Sequence, residues 1–371
     1  ALILVTVLSV ACEQAESPPL PNDFAVLAQQ AGAYTQAKAG RQLVFPRDHG
    51  AHPDYRIEWW YLTANLEDKD GQPYGIQWTL FRVATKPGDP EYTPTNWPTN
   101  QLFMAHVAIT TSTSHFSFQR SARGKEGLQT ARSGVIASPF SAWLDDWTLQ
   151  STGAEWLPLH VHARQDDFAF DLDLQSDRQP VLQGDAGFSQ KHADGGGSHY
   201  YSQPFLKASG VLTLDGQSVP VSGDAWLDRE WGSQFLNTGQ VGWDWFSLHL
   251  DSGEKLMLFQ LREREDTGDH FLYGALVSAD GKQIRLDATQ IHLEVIQTAR
   301  VEDRNLPMKW SIDIPDIERR LTVTSLHPDQ WMDVDFPYWE GVVEVSGEGP
   351  GNSGRGYMEL TGYPVASGHS D

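Results

Sequence analysis

One stretch of this sequence is written twice. Trp59–Leu66 (Trp-Trp-Tyr-Leu-Thr-Ala-Asn-Leu) aligns with Trp243–Leu250 (Trp-Asp-Trp-Phe-Ser-Leu-His-Leu), and Leu80–Arg82 matches Gln260–Arg262 after a shorter turn. Gly223–Asp228 then recurs as Gly354–Glu359, each at the end of its half. Matches in the same order point to a duplicated unit, about 41–225 and then 226–371, the second with fewer insertions. The repeated segments alternate with period two and are dense in rings, as half-buried strands are. An all-β chain of two antiparallel units is the expectation.

Local signals agree. Glu58–Leu66 reads as a strand, Asp68–Gly71 as a turn and Tyr74–Arg82 as its partner strand. Asp215-Gly216 and Asp280-Gly281 mark two more hairpins. With 33 Gly, 21 Pro, 14 Trp, 11 Tyr and 16 Phe against 5 Met, the composition favours turn-rich β structure over a helical bundle. The best helix is short, over Phe24–Lys38, capped by Asn22 or Asp23 and ended by Gly40. Residues 86–101, rich in proline, predict a long loop lying over a barrel mouth.

The N-terminal region reads as an address. Ala1–Ala11 is an uncharged apolar run, too short to span a bilayer, and Leu8–Cys12 resembles a bacterial lipobox with Ser9 where that motif prefers Leu. Residues 1–23 are therefore expected to be a signal peptide with a lipidation site at Cys12 and a solvated tether. That places the protein in the bacterial cell envelope as a periplasmic lipoprotein, with the outer membrane favoured by Glu13. Cys12 is the single cysteine, so no intrachain disulfide and no zinc-thiolate cluster can form. The 49 acidic residues outnumber the 27 basic ones, a formal net charge of −22 that repels nucleic acid.

Phe45–Tyr61 (Phe-Pro-Arg-Asp-His-Gly-Ala-His-Pro-Asp-Tyr-Arg-Ile-Glu-Trp-Trp-Tyr), Gly223–Ser233 and Gly242–Phe246 together resemble the AttH family of secreted lipocalin-like proteins. The resemblance implies two lipocalin-like (calycin) barrels, 24–225 with its preceding helix and 226–371. It also implies kinship with carotenoid 1,2-hydratase and lipocalin-like Diels–Alderases, which act on hydrocarbon ligands, and, more weakly, an accessory role with an export system. The hydratases carry a His-x-Trp pattern where this chain has Arg229 before Trp231, so hydratase chemistry does not transfer directly. By the same resemblance, Arg229 is expected to cover a first-strand tryptophan.

Two polar constellations stand out. The first, Arg47, Asp48, His49, His52, Asp54, Arg56 and Glu58, is either a hydrogen-bonded plug closing a barrel end or a site of catalysis or ligand contact; its spacing does not favour metal. The second is Asp228-Arg229-Glu230-Trp231 at the join between repeats, where apolar walls can raise a carboxyl pKa. Candidate acid/base residues are Glu230, Asp228 and His49. Glu230 is the better catalyst, and Asp228 is expected to be architectural because Glu359 repeats it. Candidate ligand contacts are Trp60, Tyr61, Trp231, Trp243, Trp245, His52 and Tyr201. His106 reads as a core or rim residue. No nucleophile elbow or phosphate loop is present, and no cofactor or metal is expected. The expected partner is a hydrophobic small molecule, lipid or isoprenoid-like. It is expected to be bound and carried, because the histidine position is changed and no nucleophile is evident; the alternative is an enzyme that transforms it, by hydration, elimination, isomerisation or hydrolysis, between the barrels.

Overall fold

The computed structural model describes residues 32–85, 87, 100–123, 132–237, 239–264 and 270–366. Among these there is no α-helix, and two antiparallel sheets curl into a barrel and a half-barrel. The first sheet begins with β1 (Ile57–Glu67), β2 (Pro73–Ala84), β3 (Gln101–Thr110), β4 (His115–Arg123), β5 (Ser133–Ala137), β6 (Phe140–Leu144) and β7 (Trp147–Ser151). It continues with β8 (Leu159–Gln165), β9 (Phe168–Gln175), β10 (Val181–Leu182), β11 (Phe188–Gln190), β12 (Gly197–Leu214) and β13 (Gln217–Gly232). Its spatial order is β4-β3-β2-β1-β13-β12-β9-β8-β7-β6-β5, with β10 and β11 set against β12.

The second sheet holds β14 (Gln240–Leu250), β15 (Lys255–Glu263), β16 (Phe271–Val277), β17 (Gln283–Asp287) and β18 (His292–Val301). After these come β19 (Arg304–Ile314), β20 (Arg319–Ser325), β21 (Trp331–Met332), β22 (Tyr338–Gly347) and β23 (Gly354–Leu360). The order is β17-β16-β15-β14-β23-β22-β20-β19-β18, with β21 against β22. Each sheet seats its first strand between its second and its last, so β1 lies between β2 and β13 as β14 lies between β15 and β23. The segments repeated in the sequence are these central strands.

Two expectations need correction. β13 runs unbroken through 225/226 to Gly232, hydrogen-bonded to β1 along its length, so the chain passes from one sheet to the other within 233–239. Of the helix expected over Phe24–Lys38, residues 24–31 lie outside the described residues. Residues 32–34 form turn and bend, and 35–38 have no helical structure. The expected loop over a barrel mouth falls almost wholly outside the described residues, as do the signal segment and Cys12.

Each sheet wraps its own apolar core. Trp60, Leu62, Ala64 and Leu66 of β1 pack inward against Trp78, Leu80, Phe103 and Leu227, and the second core gathers around Phe246, Leu258, Trp310 and Trp339. The alternate residues of β1 point away from the first core yet are mostly buried too, because the second sheet covers them. Gly75 of β2 marks how closely the sheets meet: a Cβ there would lie 2.3 Å from both the Tyr357 hydroxyl and a Val342 methyl. The seam thus formed is lined by Tyr61, Tyr200, Trp226, Trp245, Phe259 and Tyr357.

Candidate functional site

Strand alternation sends Asp228 and Arg229 in opposite directions. Arg229 points into the end of the first barrel, where its guanidinium lies 3.8 Å over the Trp60 ring and bonds the Glu58 carboxylate and the Gly50 carbonyl. Arg82 pairs with the same Glu58 and also holds the carbonyls of His52, at 2.9 Å, and Tyr55, at 2.7 Å. His52 bridges Asp48 and Glu58 at 3.2 Å each and stacks on Trp231 with centroids 4.0 Å apart. His49 lies between Phe45 and Trp156, bonds the Tyr201 hydroxyl at 2.7 Å, and accepts the Trp60 indole N–H on its carbonyl. Burial drops the His49 imidazole to about 3. Two guanidinium groups hold the fully buried Glu58 well below the usual carboxylate range despite its burial. These groups interlock as a plug.

Asp228 and Glu230 point the other way, into the seam, and neither pairs with Arg229. Asp228 accepts hydrogen bonds from Tyr200, Ser202 and, at 2.7 Å, the Trp226 indole. Burial still pushes its carboxyl up to about 7, with the charge of Glu230 adding to the shift. Glu230 accepts from Ser198 and forms an ion pair with Lys191 at 2.9 Å, whose ammonium sits 3.9 Å from the centre of the Phe259 ring.

The second sheet brings two more carboxyls to the same place. Glu359 of β23 stands directly opposite Glu340 of β22 in register, with Glu340 buried and Glu359 half-buried. Burial raises Glu359 to about 7 against the hydrogen bond from the Trp243 indole, and Asp228 and Glu230 raise it further. Glu340 is pushed well above the carboxylate range by burial and by Glu359, while Tyr61 and Tyr338 beside it pull downward. Neither oxygen of Glu340 and not the Tyr61 hydroxyl is in a well-aligned hydrogen bond. Two carboxyls so placed oppose each other's ionisation, which favours a proton on the pair.

The residues proposed from sequence therefore divide. Glu230, Asp228, Tyr61, Trp243 and Trp245 share the seam. His49, His52, Trp60, Trp231 and Tyr201 belong to the plug and the first-barrel end, with their polar atoms engaged largely by the fold itself. Sequence reasoning missed Glu340, Tyr338, Tyr200 and Lys191 as site residues, and read Glu359 only as a repeat mark. A further alignment would have found three of them, since Tyr200-Tyr201-Ser202 matches Tyr338-Trp339-Glu340. Ser202 stands opposite Asp228 as Glu340 stands opposite Glu359. Lys191 comes from a loop with no such counterpart.

Three comparisons bear on this arrangement. The AttH-like family model matches residues 36–363. The crystal structure of an AttH protein from Nitrosomonas europaea is similar at 35% identity and a TM-score of 0.77, over 89% of this chain and 100% of that one. Kievitone hydratase from Nectria haematococca is similar in fold, with 17% identity, a TM-score of 0.64, and coverage of 90% of this chain and 96% of that one. Among curated proteins none matches.

Proposed function

The chain belongs to the AttH-like family, and from that premise we propose that it is an acid–base enzyme of the lyase, hydratase or isomerase kind, acting on a lipid- or isoprenoid-like molecule in the seam between its two sheets. The observation that carries this reading is the cross-strand pair of buried Glu340 and half-buried Glu359, facing Asp228 and Glu230 among aromatic rings. A carboxyl whose pKa lies near the working pH both holds and releases its proton readily. Asp228 or the Glu340–Glu359 pair donates a proton to an alkene carbon or a leaving oxygen. The Glu230 carboxylate, ion-paired with Lys191, takes one from an attacking water or an adjacent carbon, so the site ends with as many protons as it began. The half-buried rings of Trp59, Trp243 and Phe271 form the apolar approach. The raised carboxyl pKa of Asp228 supports giving it the acid role that sequence reasoning preferred for Glu230.

The aromatic seam also supports a second reading, a carrier that shelters the ligand unchanged. Such a carrier does not use the barrel interiors in the lipocalin manner, because their inward positions are filled by the protein's own side chains. Incubation with polyenes, fatty acids and isoprenoid alcohols in D2O separates the two. The enzyme places deuterium or the elements of water in a bound compound, and Asp228→Asn combined with Glu359→Gln abolishes this while saturable quenching of Trp fluorescence persists. Compounds that bind and are recovered unlabelled and unchanged would leave the carrier.

We further propose that Cys12 is lipidated and holds the protein at the envelope membrane, supported by the apolar Ala1–Ala11 run before it. Cys12→Ser then moves the protein to the soluble periplasmic fraction; unaltered membrane association refutes the anchor.

A further inference from the structure

We propose that His106 and Tyr338 form a proton relay connecting buried Glu340, one partner of the Glu340–Glu359 pair, with solvent at the edge of the seam. This rests on the reading of that pair as a proton-holding group. The relay crosses between the sheets. His106 of β3 lies within 3.1 Å of the Tyr338 hydroxyl through Nδ1, and Gln77 of β2 donates to the same hydroxyl at 3.4 Å. Tyr338 precedes Glu340 by two positions on β22, so both side chains leave the strand on one face, and its hydroxyl interacts with the Glu340 carboxyl.

The outer end is equally defined. His106 is paired across the ladder with Gln119 of β4, whose amide donates to Asp335 at 2.6 Å and accepts from the Asp335 backbone N–H at 2.8 Å. Asp335 is exposed, whereas His106 is 2% exposed with Nε2 lacking a well-aligned partner. Burial lowers the imidazole to about 4, so at neutral pH it is uncharged, with one ring nitrogen bearing hydrogen and one bare. The ring stands between the Tyr338 hydroxyl and Gln119, which bonds exposed Asp335, and its tautomer with Nδ1–H toward Tyr338 and Nε2 bare has the two ends a shuttle requires.

The transfer balances without any co-reactant. A proton from water binds Nε2, the Nδ1 proton passes to the Tyr338 oxygen, and the Tyr338 proton passes to the Glu340 carboxylate. One proton enters and the pair gains it; His106 is left as the other neutral tautomer. The reverse passage carries a proton out and resets the ring. Neither residue touches the ligand in this scheme; His106 acts on the rate of proton exchange, whereas Tyr338, beside Glu340, also lowers the proton affinity of the pair.

A pH jump followed by time-resolved infrared absorption of protonated carboxyls tests this in the ligand-free protein. The wild-type band of the pair, identified by its loss in Glu359→Gln, appears and disappears with the jump. In His106→Phe and in Tyr338→Phe the rate slows about tenfold or more. In His106→Phe the equilibrium titration stays in place, which a merely structural role would not produce. The two variants break the path at different residues, so misfolding of one, judged by near-ultraviolet circular dichroism, leaves the other decisive. Wild-type rates in a folded variant overturn the relay while leaving the carboxyl pair intact. Absence of any band near neutral pH in the wild type overturns the pair itself, and the relay with it.

Discussion

Asp228 and Glu359 are the same position of a duplicated fold, brought into the same seam. Asp228 stands opposite Tyr61 across β13 and β1, and Glu359 opposite Trp245 across β23 and β14, where Tyr61 and Trp245 are themselves repeat equivalents. Each carboxyl accepts an indole N–H, from Trp226 and from Trp243, and burial raises each to about 7. The halves then diverge. Ser202 gives Asp228 a hydroxyl donor, whereas Glu340 gives Glu359 a second carboxyl. Symmetry built the enclosure, and the broken symmetry created a proton-holding pair.

Stability should fall as pH rises through the window these carboxyls define. The unfolded chain releases their protons near 4, whereas the folded chain keeps those of Asp228 and Glu359 to about 7, so folding binds protons between those values. Their contribution is complete below the lower limit and lost above the upper one. Asp228→Asn flattens the decline, by about 1.4 kcal/mol for each unit of pKa difference removed. Urea unfolding from about pH 4 to about pH 8 reads this directly, and parallel wild-type and variant profiles would count against a protonated Asp228.

At the acid end the plug acts oppositely. Glu58 and Asp48 are held below the usual carboxylate range, against burial, by Arg82, Arg229, Arg47 and His52. Their stabilisation is present above the unfolded carboxylate pKa near 4 and disappears as pH falls further. Arg229→Met removes one side of this buried network and lowers stability by about 3–5 kcal/mol. Arg229→Lys recovers only part, because an ammonium cannot cover Trp60 while bonding Glu58 and Gly50. Wild-type stability in Arg229→Lys by guanidinium unfolding would contradict this.

Gly75→Ala tests the docking of the sheets. The added methyl meets Tyr357 and Val342, so the seam opens at a cost of about 1–3 kcal/mol. Trp fluorescence shifts to the red as the seam admits water. An unchanged emission maximum with unchanged stability would show the two sheets to be less tightly joined.

His49→Phe separates plug from seam. The ring keeps its stacking between Phe45 and Trp156 but leaves the buried Tyr201 hydroxyl unpartnered, a loss of about 1–3 kcal/mol. The infrared band of the Glu340–Glu359 pair should be unaffected. A shifted band would make His49 part of the functional site after all.

Much of the architecture was legible because β structure leaves local marks. The Asp68–Gly71, Asp215-Gly216 and Asp280-Gly281 turns each join paired strands, and the repeated Trp59–Leu66 and Trp243–Leu250 segments are the central strands of their sheets. The same period two puts Trp60 and Tyr61, and Asp228 and Arg229, on opposite faces, although the sequence reading grouped each pair in one site. It did not say which face of β1 would be roofed by the second sheet, and so His49, His52, Trp60 and Tyr201 were grouped with residues that point away from them.

What the sequence determined by itself is the duplication, the strand faces and the equivalence of Asp228 with Glu359, because these follow from alternation and repeat along one chain. What only the tertiary structure decided is that the outward faces of the two halves meet. That contact gathers Glu340, Glu359, Asp228, Glu230 and Lys191 from distant segments and removes all but half-buried Glu359 from water. Proton affinity is set by burial and by the charges nearby in space, and neither quantity exists until the seam has closed.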